Sequence, residues 1–265
     1  MKAKPNPSTP RRHRDPDQAV ERTQRYGLAR VLSKLGVCSR SQAQQWVRAG
    51  RVSVNGCIVC DEGLPTDTRR DRITLDGKPV AAAQRIYLIL NKPRGLVTTT
   101  SDEHDRDTVY TLLDGADLPW VASVGRLDKA SEGMLLFSND SVWAAALSDP
   151  ATHLDKTYHV QIDALPDAAL ASRLCAGIVD QGELLKAKSA RELRRGEKNA
   201  WLEIVLDEGR NRHIRRLLGA FDIRVLRLLR VAIGEVPLGA LAKGAWRHLK
   251  ADELTALGIS REKQA

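Results

Sequence analysis

The stretch Val124-Gly-Arg-Leu-Asp-Lys-Ala-Ser-Glu-Gly-Met-Leu-Leu-Phe-Ser-Asn-Asp140 decides how this chain is read. Apolar runs at 121–124 and 134–137 read as two strands with a glycine-bounded turn between them. Arg126 and Asp128 sit in that turn. A carboxylate beside an arginine, on a loop held by strands, presents one acid to a substrate from a rigid frame. Alone, an Arg-x-Asp turn is more often a surface ion pair, so the meaning of Asp128 depends on its surroundings.

Downstream, residues 156–162 alternate, with Tyr158, Val160 and Ile162 on one face and Thr157, His159 and Gln161 on the other. Residues 201–206 form another strand and lead into Glu208-Gly209. From Asn211 a helix sets Ile214, Leu217 and Leu218 toward the core, while Arg212, Arg215 and Arg216 share a different face at i, i+3 and i+4. Residues 223–233 are strand-like and 254–257 form a short last helix. Upstream, 86–90 is a buried strand ending in the turn Asn91-Lys-Pro-Arg-Gly95. The acid-rich segment 101–107 reads as a solvated loop without chemistry, and Asp140 caps a helix running through Leu147. Such irregular interleaving predicts an α+β domain over 84–257, with a mixed, mostly antiparallel sheet flanked by helices.

Nearer the N-terminus, Leu28, Val31, Leu32 and Leu35 share one helical face, and Gly36 ends that helix. Ser39 opens a second helix in a capping-box arrangement with Gln42. Ala43, Trp46 and Val47 point inward, Arg40 and Arg48 stay free, and Gly50 stops the helix. A strand from Arg51 reaches Asn55-Gly56, a strong hairpin signal, and 72–75 meets a second turn dipeptide, Asp76-Gly77. Residues 26–80 thus form a small, basic α/β module. Residues 1–25, basic and proline-rich, read as a disordered tail, and 258–265 as another.

Lysine and arginine number 42 against 33 acids, a net charge of +9. The excess is concentrated: Arg210, Arg212, Arg215, Arg216, Arg224, Arg227 and Arg230 face a single acid, Asp222, in that segment. Clustered guanidinium groups displace counterions from phosphates, so a nucleic acid is the expected partner. Four cysteines do not make a disulfide scaffold. Cys57 and Cys60 have CxxC spacing but no second pair, and read as small, partly buried thiols rather than metal ligands. No apolar run approaches the ~18 residues of a membrane span, and the first residues lack the apolar core of a signal peptide. The expectation is a cytoplasmic protein without metal, cofactor or membrane.

The quoted stretch resembles the catalytic motif of bacterial ribosomal-RNA pseudouridine synthases of the RsuA/RluB type. Lys92-Pro-Arg-Gly95 is similar to that family's first segment, Lys156-Thr-Tyr158 to its second, and Glu208-Gly-Arg-Asn-Arg-His-Ile-Arg-Arg216 to its third. Arg230, Gly234 and Gly244-Ala-Trp-Arg247 fit the closing segments. Gly36-Val-Cys-Ser-Arg40 and Gly50-Arg-Val-Ser-Val-Asn-Gly56 resemble the RNA-binding module named for ribosomal small-subunit protein four. Departures are small: His213 stands where many members carry Gln, and Ser131 where related families have Thr.

The resemblance implies isomerisation of uridine to pseudouridine in ribosomal RNA, free or in an assembling particle, by a monomer. Large-subunit (23S) RNA is the favoured target. Asp128 is then the catalytic acid, attacking covalently or assisting glycal formation. Arg215 is the salt-bridging arginine that keeps a buried Asp128 ionised, with Arg210 as second choice. Tyr158 lies against the flipped uracil and relays the proton from carbon 5, while Arg126 fills the space the base vacates. The RNA-binding set is Arg126, Arg210, Arg212 and Arg216 in the catalytic domain, with Arg40, Arg48 and Arg51 in the module. Two other classes share these features: a non-catalytic ribosome-assembly factor and a base-removing glycosylase.

Overall fold

A computed structural model describes residues 25–100, 102, 104 and 106–259. The expected tails lie outside the described residues, apart from Arg25, Gly258 and Ile259. The last of these is no tail: Ile259 is 5% exposed and packs in the core beside Leu254 and Leu257.

The N-terminal module packs the helices Leu28–Lys34 and Arg40–Arg48 on a four-stranded sheet ordered Cys57–Ile58, Val52–Val54, Ile73–Leu75, Lys78–Pro79. Ser39 caps the second helix, its Oγ accepting from the Gln42 amide at 3.0 Å. Leu28, Leu32, Ala43, Val47 and Val52 are fully buried and close the core between helices and sheet. Asn55 and Gly56 both take positive φ (54° and 86°), as a two-residue hairpin turn demands. Two expectations change here. Trp46 is only half-buried, with the Arg51 guanidinium 5.4 Å from its ring centre. Cys57 and Cys60 are exposed rather than partly buried, because the strand Cys57–Ile58 is the sheet edge.

The larger domain is built on a nine-stranded sheet. Its path runs Ser189–Arg195, Ala200–Leu206, Lys156–Ile162, Val225–Ile233, Glu132–Ser138, Tyr87–Lys92, Trp246–His248. Every pairing is antiparallel except Val225–Ile233 with Glu132–Ser138, so the sheet is mixed and mostly antiparallel. The chain is α+β, with the small module preceding this body.

Helix His213–Gly219 starts two residues later than the apolar spacing suggested, because Arg212 is left-handed (φ 49°) and cannot be its first turn. The strand Ser189–Arg195, with no apolar alternation to announce it, pairs along the outer edge of Ala200–Leu206. Helix Leu170–Ala176 and the hairpin Ile178–Asp180 with Glu183–Leu185 fill the region before it.

Three apolar clusters form on this frame, and two of them flank the site. One joins Tyr158, Val160, Leu202 and Ile204 to Ile214, Leu217 and Leu218 of the short helix. The other gathers Ile89, Met134, Leu136, Trp143, Ile233 and Leu254. Across their junction a single register row links four strands: Lys92 opposite Gly133, Gly133 opposite Arg230, Arg230 opposite Tyr158. Among the described residues no helix is long and apolar enough to cross a membrane.

Candidate active site

The loop that carries Arg126 and Asp128 begins at Gly125, whose φ of 71° turns the chain out of the strand Ala122–Val124. Four residues from elsewhere tie its backbone down. Thr98 Oγ1 donates to the Leu127 carbonyl at 2.8 Å, and the Gly95 amide to the Lys129 carbonyl at 2.8 Å. Lys92 Nζ donates to the carbonyls of Asp128 (3.2 Å) and Ser131 (2.9 Å). Arg215 Nη2 donates to the carbonyl of Ala130 at 3.2 Å. With these carbonyls satisfied, the side chains of Arg126 and Asp128 are left uncommitted. Asp128 is exposed, and its carboxylate has no hydrogen-bond or ion-pair partner among the described residues.

A cleft of about 360 Å³ opens beside it, in the junction between the two apolar clusters. Asp128, Arg126, Tyr158, Lys156, Arg230 and His213 all line it. Tyr158 is 8% exposed, its ring part of the sheet core and its edge part of the cleft wall. Asp128 and Tyr158, which come from separate segments, therefore share one cavity. Arg215 does not line it. Its guanidinium reaches the carbonyls of Ala130 and Val225, so it holds the loop rather than clamping the acid. Burial lowers the pKa of Arg215, while the nearby Asp128 charge works in the opposite sense. The expected picture of a buried acid in contact with Arg215 is thus corrected: the acid is exposed, and the arginine holds its loop through a backbone carbonyl.

The arginines proposed for RNA divide into two groups. Arg126, Arg212 and Arg40 have no hydrogen-bonded or ion-paired partner among the described residues, and Arg126 and Arg212 stand at the cleft. Arg216 is committed elsewhere, bridging Asp180 and Glu183 of the hairpin at 2.6 Å each. Arg210 pairs with Glu208 at 2.9 Å and Glu183 at 3.4 Å, Arg48 with Glu62 at 2.6 Å, and Arg51 with Asp76. A free basic face at Arg212, Arg215 and Arg216 does not form, because acids more than thirty residues upstream reach Arg216.

Sequence reasoning gave no role to three buried ionisable groups here. Lys92 is fully buried, and its pKa is pushed down to about 8 by burial, against the charges of Asp128 and Glu132. Glu132, next after Ser131, is buried between Arg227 (3.1 Å) and Lys243 (2.6 Å). Burial pushes its carboxyl up, but the two cations outweigh this and hold it below the usual range. His213 is buried, and burial lowers its pKa. The signal for Lys92 was a lysine closing the strand whose Leu88–Leu90 run is apolar. Among the described residues no group of three or more His, Cys, Asp or Glu side chains is placed to hold a metal.

Residues 86–220 match the RNA pseudouridylate synthase family, and residues 27–65 match the S4 domain. The chain belongs to the RNA pseudouridylate synthase family. It is 38% identical over 232 residues to an uncharacterised RNA pseudouridine synthase of Aquifex aeolicus, covering 87% of this chain and 92% of that protein. To ribosomal large subunit pseudouridine synthase B of Bacillus subtilis it is 31% identical over 233 residues, or 87% and 94% of the two chains. A crystal structure of a pseudouridylate synthase superimposes with a TM-score of 0.62 at 27% identity, over 88% of this synthase and 99% of that chain.

Proposed function

We propose that this synthase converts a defined uridine of large-subunit (23S) ribosomal RNA to pseudouridine, with Asp128 as the catalytic acid. One observation carries the reading: a carboxylate without partners, on a loop tied down through its backbone, shares a cleft with the half-apolar wall of Tyr158. The similarity to the Bacillus subtilis large-subunit enzyme supports the choice of RNA.

The target base is turned out of its stack, at a cost of about a few kcal/mol. Arg126, exposed at the cleft mouth, takes the vacated place in the RNA. The uracil enters the cleft against the Tyr158 ring. Asp128 then either bonds to C1′ or takes the proton from C2′ as a glycal forms; in both routes the C1′–N1 electron pair leaves with the base. After the base turns, C5 bonds to C1′ as the Asp128–C1′ bond breaks or, on the glycal route, as Asp128 returns its proton to C2′; the C5 proton then departs through the Tyr158 hydroxyl, and N1 is protonated. Arg215 fixes the loop through the Ala130 carbonyl. Arg210, Arg212 and Arg216 lie toward the RNA backbone, with the ion pairs of Arg210 and Arg216 exchanging for phosphates. Arg40, Arg48 and Arg51 of the module, residues 26–80, grip structured RNA by shape and phosphate contacts while residues 84–257 do the chemistry. The enzyme works as a cytoplasmic monomer on rRNA or an assembling particle.

Asp128→Asn keeps the shape and removes the charge. Release of tritium from C5-labelled uridine in rRNA falls more than about 10³-fold while RNA binding survives. Turnover at the normal rate overturns the assignment, and an abasic site in place of pseudouridine would identify a glycosylase.

A further inference from the structure

Two cations on the cleft floor take no part in the steps above. Arg230 stands opposite Tyr158 across the sheet and is only 6% exposed. Its Nε donates to the Met134 carbonyl at 2.8 Å, but Nη2 is buried with no partner among the described residues. Lys156, two residues before Tyr158 on the same strand face, is half-buried and also lines the cleft. Its side chain makes no ion pair among the described residues. Burial lowers its pKa first and the Arg230 charge second, against Asp155 and Asp207. Buried polar groups are almost always satisfied, and a buried guanidinium with an unused donor is costly. Such a group at the floor of a cavity is arranged for something that enters it.

Depth identifies the visitor. Phosphates stay with the RNA backbone at the rim, where Arg126 and Arg212 are placed. Only the base turned into the cleft reaches the floor. Uracil is neutral on arrival, with carbonyl oxygens at C2 and C4. It becomes anionic when the C1′–N1 bond breaks and its electron pair passes to the ring, spread over N1 and both oxygens. C1′ is meanwhile satisfied by the Asp128 oxygen, or by a double bond to C2′ whose proton the carboxylate takes. The base's electron pair is used when C5 bonds to C1′.

We propose that Arg230, reinforced by Lys156, hydrogen-bonds a uracil carbonyl of the flipped base and stabilises the negative charge the detached base carries. The inference rests on the isomerase reading above. It adds an electrostatic site for the leaving base to the acid that acts on the sugar. Donors fixed in a water-poor site where charge develops are among the largest contributors to catalysis.

The test uses the full chain and two rRNA transcripts, one with uridine and one with 5-fluorouridine at the target. Arg230→Gln lowers the single-turnover rate on uridine about 10²- to 10³-fold, the loss typical of removing one such donor, with RNA affinity within about twofold. Lys156→Met lowers it about tenfold. Fluorine at C5 makes the base a more stable anion, so both deficits shrink when cleavage of the 5-fluorouridine linkage is followed. A merely structural role leaves the deficit equal on the two substrates, and that equality overturns the proposal, as does a normal rate for Arg230→Gln. Should Arg230→Gln fail to fold, Lys156→Met carries the same comparison with the same overturning result. A wild-type rate for Asp128→Asn would strike the isomerase reading, whereas these outcomes strike only the role of the floor.

Discussion

Lys92 has no exposed surface, yet it governs the geometry of an exposed acid. Its ammonium donates to the carbonyls of Pro93, Asp128 and Ser131, so loop position is encoded in a buried charge. Burial lowers its pKa from 10.5 to about 8. Between these values the unfolded chain binds more protons than the folded one, so this group's contribution to stability rises with pH across that window and is level below it. Wild type and Lys92→Met are compared by urea unfolding from pH 7 to about 10. The stability of wild type relative to the variant climbs above about pH 8; a difference independent of pH would mean that the lysine is not held in this way. The contrast with Asp128 is instructive. The sequence suggested a buried carboxylate stabilised by contact with a guanidinium, but burial falls on the lysine beneath the loop and the acid stays in water.

At the scale of elements, the parallel junction of Glu132–Ser138 with Val225–Ile233 brings the parts of the site together. Gly133 lies on it with φ 98°, and a Cβ there would stand 2.3 Å from the Arg230 carbonyl oxygen and 2.8 Å from its nitrogen. Both contact atoms belong to backbone and cannot swing aside. Gly133→Ala therefore costs about 3 kcal/mol or more, from overpacking together with a strained backbone. Chemical denaturation measures the loss, and turnover falls with it because the row Lys92–Gly133–Arg230–Tyr158 separates. A loss under about 1 kcal/mol would show that the two strands part without consequence. The hairpin Ile178–Asp180 with Glu183–Leu185 has a comparable effect on charge: by taking up Arg216 it leaves Arg126 and Arg212 as exposed, unpaired arginines at the cleft.

For the whole molecule, a net charge of +9 sets the attraction to RNA, but individual arginines contribute unequally. Arg40 has no hydrogen-bonded or ion-paired partner among the described residues, whereas Arg48 already holds Glu62 through two hydrogen bonds. Arg40→Gln lowers the slope of log binding constant against log salt by about 0.7 to 0.9, one phosphate contact, and leaves the single-turnover rate at saturating RNA unchanged. Arg48→Gln lowers the slope less, since its phosphate contact requires breaking an existing pair. Filter binding across a salt series reads both, and equal slopes for wild type and Arg40→Gln would remove Arg40 from the interface. The module meets the body where Gly36 packs beside Asn139, whose side chain is fixed by the Ile86 amide and the Gln84 carbonyl.

Sequence by itself determined the local elements and the order of the segments. Strand alternation at 156–162, the Ser39 and Asp140 caps and the Asn55-Gly56 turn are read from near neighbours, and each appears where near neighbours demand it. The family resemblance, carried by the quoted runs, singled out Asp128, Tyr158 and Arg215 as candidates. The short helix at 170–176 escaped because its seven residues carry only Leu170 and Leu174 as buried anchors, and the edge strand at 189–195 because it has no alternating apolar face. Only the tertiary structure decided which charges are buried and which are spoken for. Glu132 and Arg230 carry no local sign of burial in the sequence, and Arg216 looks free. Burial and pairing are properties of strands and acids that meet from distant positions, and a pattern of near neighbours does not record that meeting.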